Sequence, residues 1–539
     1  MKSVLAWLLL VTFLKGLVWM SVVPLWHTPD EQAHFAQVQN MAEGVTPVYG
    51  QPTTSLEIYT SERLLQTARD DMGNNSYTYH PEFNISYTSG TNGFFEAEIK
   101  QIPKSDRTKL VITETTAYPP FYYTLASFVY RFVYGADLIN RVFTTRIVSI
   151  LLMVIAVYYT YKIGSFIFPQ NPTFATSGAV LVSFHPMFTF TMTGVNSDVL
   201  MNTLFTVFIY YSLVFALEPF KVSTILLLGL TYLAGVLTKP TFHIGFLLII
   251  FATLVFIKKH FHALQSWKKY SGAILLLALL VIMASLYAMR IRIAETFNTR
   301  SFTLIPEVSF ENQAQPDLTF ASHLKWTLQH TVREVLPWYW GVFKWLGVTL
   351  PRWSNRLINR VIIVAGIGLI MYVIKLMRMK RLSKSDWAIL LLAFTASSYF
   401  FALTVWDWLF TRSNGYSFGM QGRYLFPQIA AHMLLLLIGL LQFIPQKRQA
   451  LRYFLVLIVT GGMIGLNFVA LQTIIQIYYP NTNLSTLILQ VSQYKPWFLK
   501  GFFLLGIWSA YLLCLAIFLL QLSKWGKVQI LKPQKSLSI

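Results

Sequence analysis

Only one cysteine, Cys514, occurs in the 539 residues, and it lies within an apolar run. No intramolecular disulfide can therefore staple the chain, and no multi-cysteine metal site can form. Charge is also scarce. Asp, Glu, Lys and Arg make up 12% of the residues and apolar types 55%, whereas an average soluble chain is about 25% charged. A water-soluble fold of this length is excluded. Acids are the rarer sign, 22 against 43 lysines and arginines, for a formal charge of +21. Binding to nucleic acid would need a basic face on a soluble domain, but many of these cations sit in short links between apolar runs, so no nucleic-acid partner is expected.

Apolar runs are abundant, among them residues 361–371, 388–394 and 502–520. Backbone groups in hydrocarbon must pair within their own segment, so each run of about 17 to 25 residues reads as a helix. Spans are expected to begin near Val4, Val142, Phe174, Val199, Val222, Phe242, Ser271, Ile358, Trp387, Tyr424, Leu451 and Leu499. The result is an all-α polytopic membrane protein of about 12 transmembrane helices. Residues 1–20 resemble a signal peptide, yet no small-x-small cleavage site precedes Trp26 and His27, so residues 1–23 read as a retained first helix. With the N-terminus cytoplasmic, the inner links hold Lys2, Lys162, Lys221, four lysines over 258–269, five cations over 375–384, three over 447–452 and four from Lys524 onward. Only Glu218 and Asp386 oppose them, and the positive-inside rule favours this orientation.

Counting residues 119–134 as a span would reverse every later link, so this aromatic segment is expected along the outer interface as an amphipathic helix. Two large non-cytoplasmic loops follow: 24–141, with the acidic motif and the interfacial helix, and 290–357. They alternate with helices 2–7 over 142–289 and with helices 8–12 plus a cytoplasmic tail over 358–539. The first loop holds 13 of the 22 acids. Its middle, 53–116, mixes polar, aromatic and turn residues and suggests a small, partly β cap. Lys15 is the one charge well inside a span, where it either pairs with another outer or buried group or faces a cavity.

Four polar signals fall at outer helix ends. Thr28-Pro29-Asp30-Glu31 fits a capping box with Pro at the first helical position, but the same helix would put Asp30 and His34 on one face at the membrane mouth. Asn196-Ser197-Asp198 fits an N-cap for the helix from Val199 or a second acidic position. Lys239, in a tight hairpin, either snorkels to headgroups or joins a site. Gln421-Gly422-Arg423-Tyr424 enters the tenth span, where Arg423 either anchors to lipid phosphate or binds a ligand, and the glycine permits close approach. Two carboxylates with two cations on one membrane surface could deprotonate a hydroxyl and neutralise a phosphate leaving group. Tyr118 and the aromatics after it offer either a wall for a sugar or lipid chain or an ordinary interfacial belt.

The order of Pro-Asp-Glu-x-x-His-Phe after the first span, Tyr-Pro-Pro, Asn-Ser-Asp, Lys-Pro-Thr and Gln-Gly-Arg-Tyr-Leu-Phe-Pro resembles a bacterial membrane family grouped with the GT-C glycosyltransferases, over about residues 29–427. The resemblance implies an integral plasma-membrane enzyme with an outward-facing site. Such an enzyme moves a hexosyl or pentosyl group from a polyprenyl phosphate sugar donor to a glycan, lipid or protein acceptor. It further implies Asp30, Glu31 and Asp198 as catalytic residues, with Asp30 the base; His34, which lies outside the superfamily's shared signature, and Tyr118, Lys239, Gln421, Arg423 and Tyr424 are expected from their own positions as substrate-binding residues. No cofactor or metal site is assigned. Asp30, Glu31, His34 and Asp198 offer ligands to a divalent cation, but without a diagnostic spacing. The alternatives are a transporter or flippase of lipid-linked saccharides and a non-catalytic assembly partner.

Overall fold

The computed structural model describes residues 2–46, 48, 51–68, 85–87, 93–114, 118–260, 283, 314–479 and 483–531. Among them nine helices are long and apolar enough to cross a membrane. They include α1 (Lys2–Val22), which is followed by the short α2 (Glu31–Glu43), α3 (Leu56–Leu64) and α4 (Glu96–Gln101). Next come α5 (Phe121–Phe132), the long α6 (Leu138–Ile167), α7 (Pro172–Ser183), α8 (Pro186–Thr191), α9 (Ser197–Leu217), α10 (Val222–Val236) and α11 (Gly245–His260). The second half holds α12 (Phe320–His330), α13 (Leu336–Trp340), α14 (Arg352–Met377), α15 (Lys384–Asn414), α16 (Ile429–Leu441), α17 (Gln449–Tyr478), α18 (Leu484–Val491) and α19 (Gly501–Leu531). The span expected from Ser271 lies outside the described residues, as do residues 290–313 of the second loop.

Two expected spans are modified. The third is broken: α7 stops at Ser183 and α8 restarts at Pro186, whose ring cannot continue the hydrogen-bond ladder. Lys15 explains how the break is tolerated. Its Nζ donates to the Ser183 carbonyl, which helix termination leaves without an intrahelical donor, and to Thr189 Oγ1 at 2.6 Å. The buried charge of the first helix is thus a clasp on the third. The fifth, α10, has only 15 residues and rises about 22 Å, short of a core of about 30 Å.

Helix α5 has 12 residues, about 18 Å, and cannot cross. Phe121, Leu125, Phe128 and Phe132 form an exposed apolar stripe, while Tyr122, Tyr123 and Tyr130 turn inward. This is the pattern of a helix lying at an interface. Among the described residues of the segment expected to form a partly β cap, the strand content is one short ladder. One antiparallel ladder pairs β1 (Thr54–Ser55) with β2 (Leu110–Ile112), and a second, in the later loop, pairs β3 (Val342–Phe343) with β4 (Val348–Thr349). A buried ion pair fixes the cap to the bundle: Glu57 receives Arg141 Nη2, and Arg141 Nη1 also donates to Tyr130 Oη at 2.5 Å.

Candidate active site

The chain between α1 and α2 does not form the expected capping box. Asp30, not Thr28, stands at the N-cap, with φ 54° and ψ 22°, and its side chain caps nothing. The left-handed region costs a non-glycine residue roughly 1–2 kcal/mol, and here it frees the carboxylate to reach across the mouth. Asp30 Oδ2 accepts from Arg423 Nη2 at 2.7 Å. Glu31 takes another path. Its two oxygens accept from Arg146 Nε and Nη2 at 2.6 and 2.5 Å, and from the backbone amides of Val195 and Trp26, each at 3.2 Å. Arg146 also donates to the carbonyls of Val23 and Pro24. Both side chains are wholly buried, so the carboxylate beside Asp30 is committed to joining α1, α2, α6 and the entry to α9.

That entry brings in the second acid. Asn196 is the N-cap of α9: its Oδ1 accepts from the Asp198 amide and its Nδ2 donates to the Pro29 carbonyl at 2.8 Å. Gly194 allows the closure, since a Cβ there would stand 2.1 Å from Thr28 Oγ1. Asp198 pairs with Lys239, which begins the 3-10 turn Pro240–Ile244 after α10. Lys239 therefore does not snorkel to headgroups. Burial lowers its pKa, but the Asp198 carboxylate outweighs this and holds the ammonium protonated.

Arg423 lies in the 3-10 turn Gly422–Gln428 that leads into α16. Gly422 is tight against α13, where a Cβ would come within 2.2 Å of the Tyr339 amide nitrogen, so the close approach is to backbone. Arg423 Nε donates to Gln421 Oε1 at 2.8 Å and its guanidinium lies 5.4 Å from the Tyr424 ring. Nη1 is buried and has no partner among the described residues.

His34 ties the pairs together. One turn after Asp30, its amide donates to the Asp30 carbonyl, its Nδ1 shares a 2.7 Å hydrogen bond with Tyr123 Oη, and its ring lies 5.6 Å from that of Tyr118. Burial pushes its pKa down to about 4; Lys239 and Arg423 reinforce this, and Asp30 and Asp198 oppose it. Its imidazole is neutral at pH 7, and all four charged side chains act on it. The structure thus gathers Asp30, His34, Tyr118, Asp198, Lys239, Gln421, Arg423 and Tyr424 in one cluster and leaves Glu31 outside it. No group of three or more His, Cys, Asp or Glu side chains that could hold a metal ion occurs among the described residues. The cation ligand set Asp30, Glu31, His34 and Asp198 is not assembled, because Glu31 is bound to Arg146 and Asp198 to Lys239. Sequence reasoning missed Arg146, and it placed Tyr123 only in the aromatic segment after Tyr118, not as the partner of His34. An arginine inside the apolar run of α6 was the available signal, since a charge there requires a buried partner.

Fold and site together define a polytopic membrane protein with a charge-paired polar pocket at one end of its helix bundle. Residues 13–433 match the family described as "Predicted membrane protein (DUF2142)", and the chain belongs to that family. Among curated proteins none matches. Solved structures of similar course include ArnT from Cupriavidus metallidurans in the apo state, 10% identical over 90% of this chain and 76% of that one, with TM-score 0.40. The same enzyme bound to undecaprenyl phosphate is 11% identical, covering 90% and 77%, with TM-score 0.40. The oligosaccharyltransferase AglB from Archaeoglobus fulgidus, in complex with an inhibitory peptide and a dolichol-phosphate, is 13% identical over 89% of this chain and 56% of that one, with TM-score 0.44.

Proposed function

We propose that this protein is an integral-membrane glycosyltransferase that moves a sugar from a polyprenyl phosphate donor to an acceptor hydroxyl at the outer face of the membrane. The observation that carries this reading is the half-satisfied Arg423. Two of its nitrogens are held by Asp30 and Gln421, and the third is a buried donor with no partner among the described residues. Leaving such a donor unmatched costs about 1–3 kcal/mol or more, and a phosphate oxygen would relieve it with a charge-assisted bond.

In this reading the donor phosphate binds Arg423 Nη1, with Lys239 adding positive charge. The incoming anion competes with Asp30 for the guanidinium and loosens the 2.7 Å pair. Asp30 then takes the proton of the acceptor hydroxyl as that oxygen attacks the anomeric carbon. The bond from that carbon to the phosphate oxygen breaks, the phosphate leaves with the electron pair, and the anomeric centre inverts. Asp198 keeps Lys239 in position, Gln421 orients Arg423, and Tyr118 and Tyr424 present ring faces to the sugar or the lipid.

The test is a purified Asp30→Asn variant supplied with polyprenyl phosphate sugars. Loss of the base predicts a rate about 100- to 10,000-fold lower in a protein that remains folded; unchanged turnover removes Asp30 from the mechanism. A second reading, a flippase of lipid-linked saccharides, draws support from the broken α7–α8 helix and buried Lys15. Lys15 is fully buried and bonded to Ser183 and Thr189, which favours a structural clasp over a transport charge.

A further inference from the structure

A cavity whose lining shares no residue with the charge cluster opens elsewhere in the bundle. It has a volume of about 440 Å³ and is walled by α14, α16 and α17, including Leu357, Val361, Leu436, Gly462 and Gly465. None of these helices contributes Asp30, Asp198, Lys239 or Arg423. Its lining is almost wholly apolar and open to the flank of the bundle. Gly462 and Gly465 leave room, since a Cβ on either would meet nothing within 4 Å. Along α17 the lining runs from Ile458 to Val469, a rise of about 16 Å. That is roughly half of a hydrocarbon core about 30 Å thick, so the groove is one leaflet deep, a length suited to an acyl chain rather than a polyprenol.

The end of the groove nearer the charged pocket is polar in a specific way. Trp340, 4% exposed, lines it, and its Nε1 has no hydrogen-bond partner among the described residues. Beside it the first turns of α14 carry Arg352, Arg356 and Arg360, all exposed and spaced to follow one side of the helix. Exposed Trp353 stands between the first two. A buried N–H donor at the top of a dry groove, with arginines at its rim, matches a phosphate-bearing head on an acyl tail.

We infer that this groove is a second lipid site, which holds one acyl chain of an anionic phospholipid from the leaflet on the charged pocket's side, with the head accepting from Trp340 Nε1 and meeting Arg352 and Arg356. The site is independent of the proposed transfer chemistry. The test is native mass spectrometry of the purified full chain equilibrated with dioleoyl-phosphatidylglycerol or dioleoyl-phosphatidylcholine. Phosphatidylglycerol is retained over phosphatidylcholine, and the Arg352→Gln/Arg356→Gln variant lowers its retention about 10- to 30-fold. Gly465→Phe, which fills the groove, abolishes retention at an unchanged melting temperature, while Asp30→Asn retains the lipid as the wild type does. Equal retention of the two lipids overturns the inference. So does undiminished phosphatidylglycerol binding in a folded Gly465→Phe protein, and if that variant does not fold, undiminished binding by the arginine variant decides against it.

Discussion

Asp30 and Glu31 are neighbours in sequence, and each pairs with an arginine, yet the two pairs differ in almost every physical respect. Glu31 and Arg146 are both 0% exposed, and their polar atoms meet each other and the backbone of two segments, residues 23–26 and Val195. Asp30 is 30% exposed, its backbone is strained, and Arg423 keeps one nitrogen open. A saturated buried pair has nothing left to offer a ligand. A pair with a strained member and an open donor can exchange its partner, and that difference separates a structural clamp from a candidate site more sharply than residue type does.

Breaking the closed pair should give the largest effect on stability. Arg146→Ala leaves the Glu31 carboxylate buried without its counter-ion, held only by the Trp26 and Val195 amides, and is expected to destabilise the protein by ~3–5 kcal/mol, read as a lowered melting temperature and poor membrane yield. Breaking the open pair should act on function instead. Arg423→Gln is expected to cost about 10- to 1,000-fold in transfer rate with a melting temperature near that of the wild type, checked by parallel turnover and thermal-shift measurements. Lys239→Gln is expected to cost less, about tenfold, because Lys239 is already neutralised by Asp198.

A pH-dependent effect concerns His34, which sits between the four charges. Its folded pKa of about 4 lies below the unfolded value of about 6.5. Above pH 6.5 neither state binds the proton, and the neutral imidazole costs nothing. As pH falls from 6.5 towards 4 the unfolded chain takes up a proton that the folded chain refuses, so stability declines across that window, by at most ~3 kcal/mol. His34→Gln should flatten this part of the stability–pH curve, as followed by thermal unfolding at stepped pH; an unchanged slope would show that His34 does not carry it.

Much of this arrangement was legible in the sequence. The apolar runs mark the helices because hydrocarbon leaves the backbone no other way to pair. The motifs carrying Asp30, Asp198, Lys239 and Arg423 all fall at helix ends assigned to one surface, and their meeting follows from that sidedness. The partners were less legible. Nothing local tells Asp30 from Glu31, because the choice depends on Arg146, more than a hundred residues later, and on a left-handed turn that a capping-box pattern conceals. The break after Ser183 was signalled by Pro186, but its clasp by Lys15 required knowing that the first and third spans touch.

Asp30→Asn and Glu31→Gln, purified side by side and assayed for sugar transfer from a polyprenyl phosphate donor per folded molecule, test the distinction directly. The expected outcome is a rate at least 100-fold lower for Asp30→Asn with an unchanged melting temperature, and a lowered melting temperature for Glu31→Gln with a rate per folded molecule within about tenfold of wild type. The reverse pattern, with transfer surviving the loss of Asp30 and abolished in a stable Glu31→Gln protein, would contradict the account.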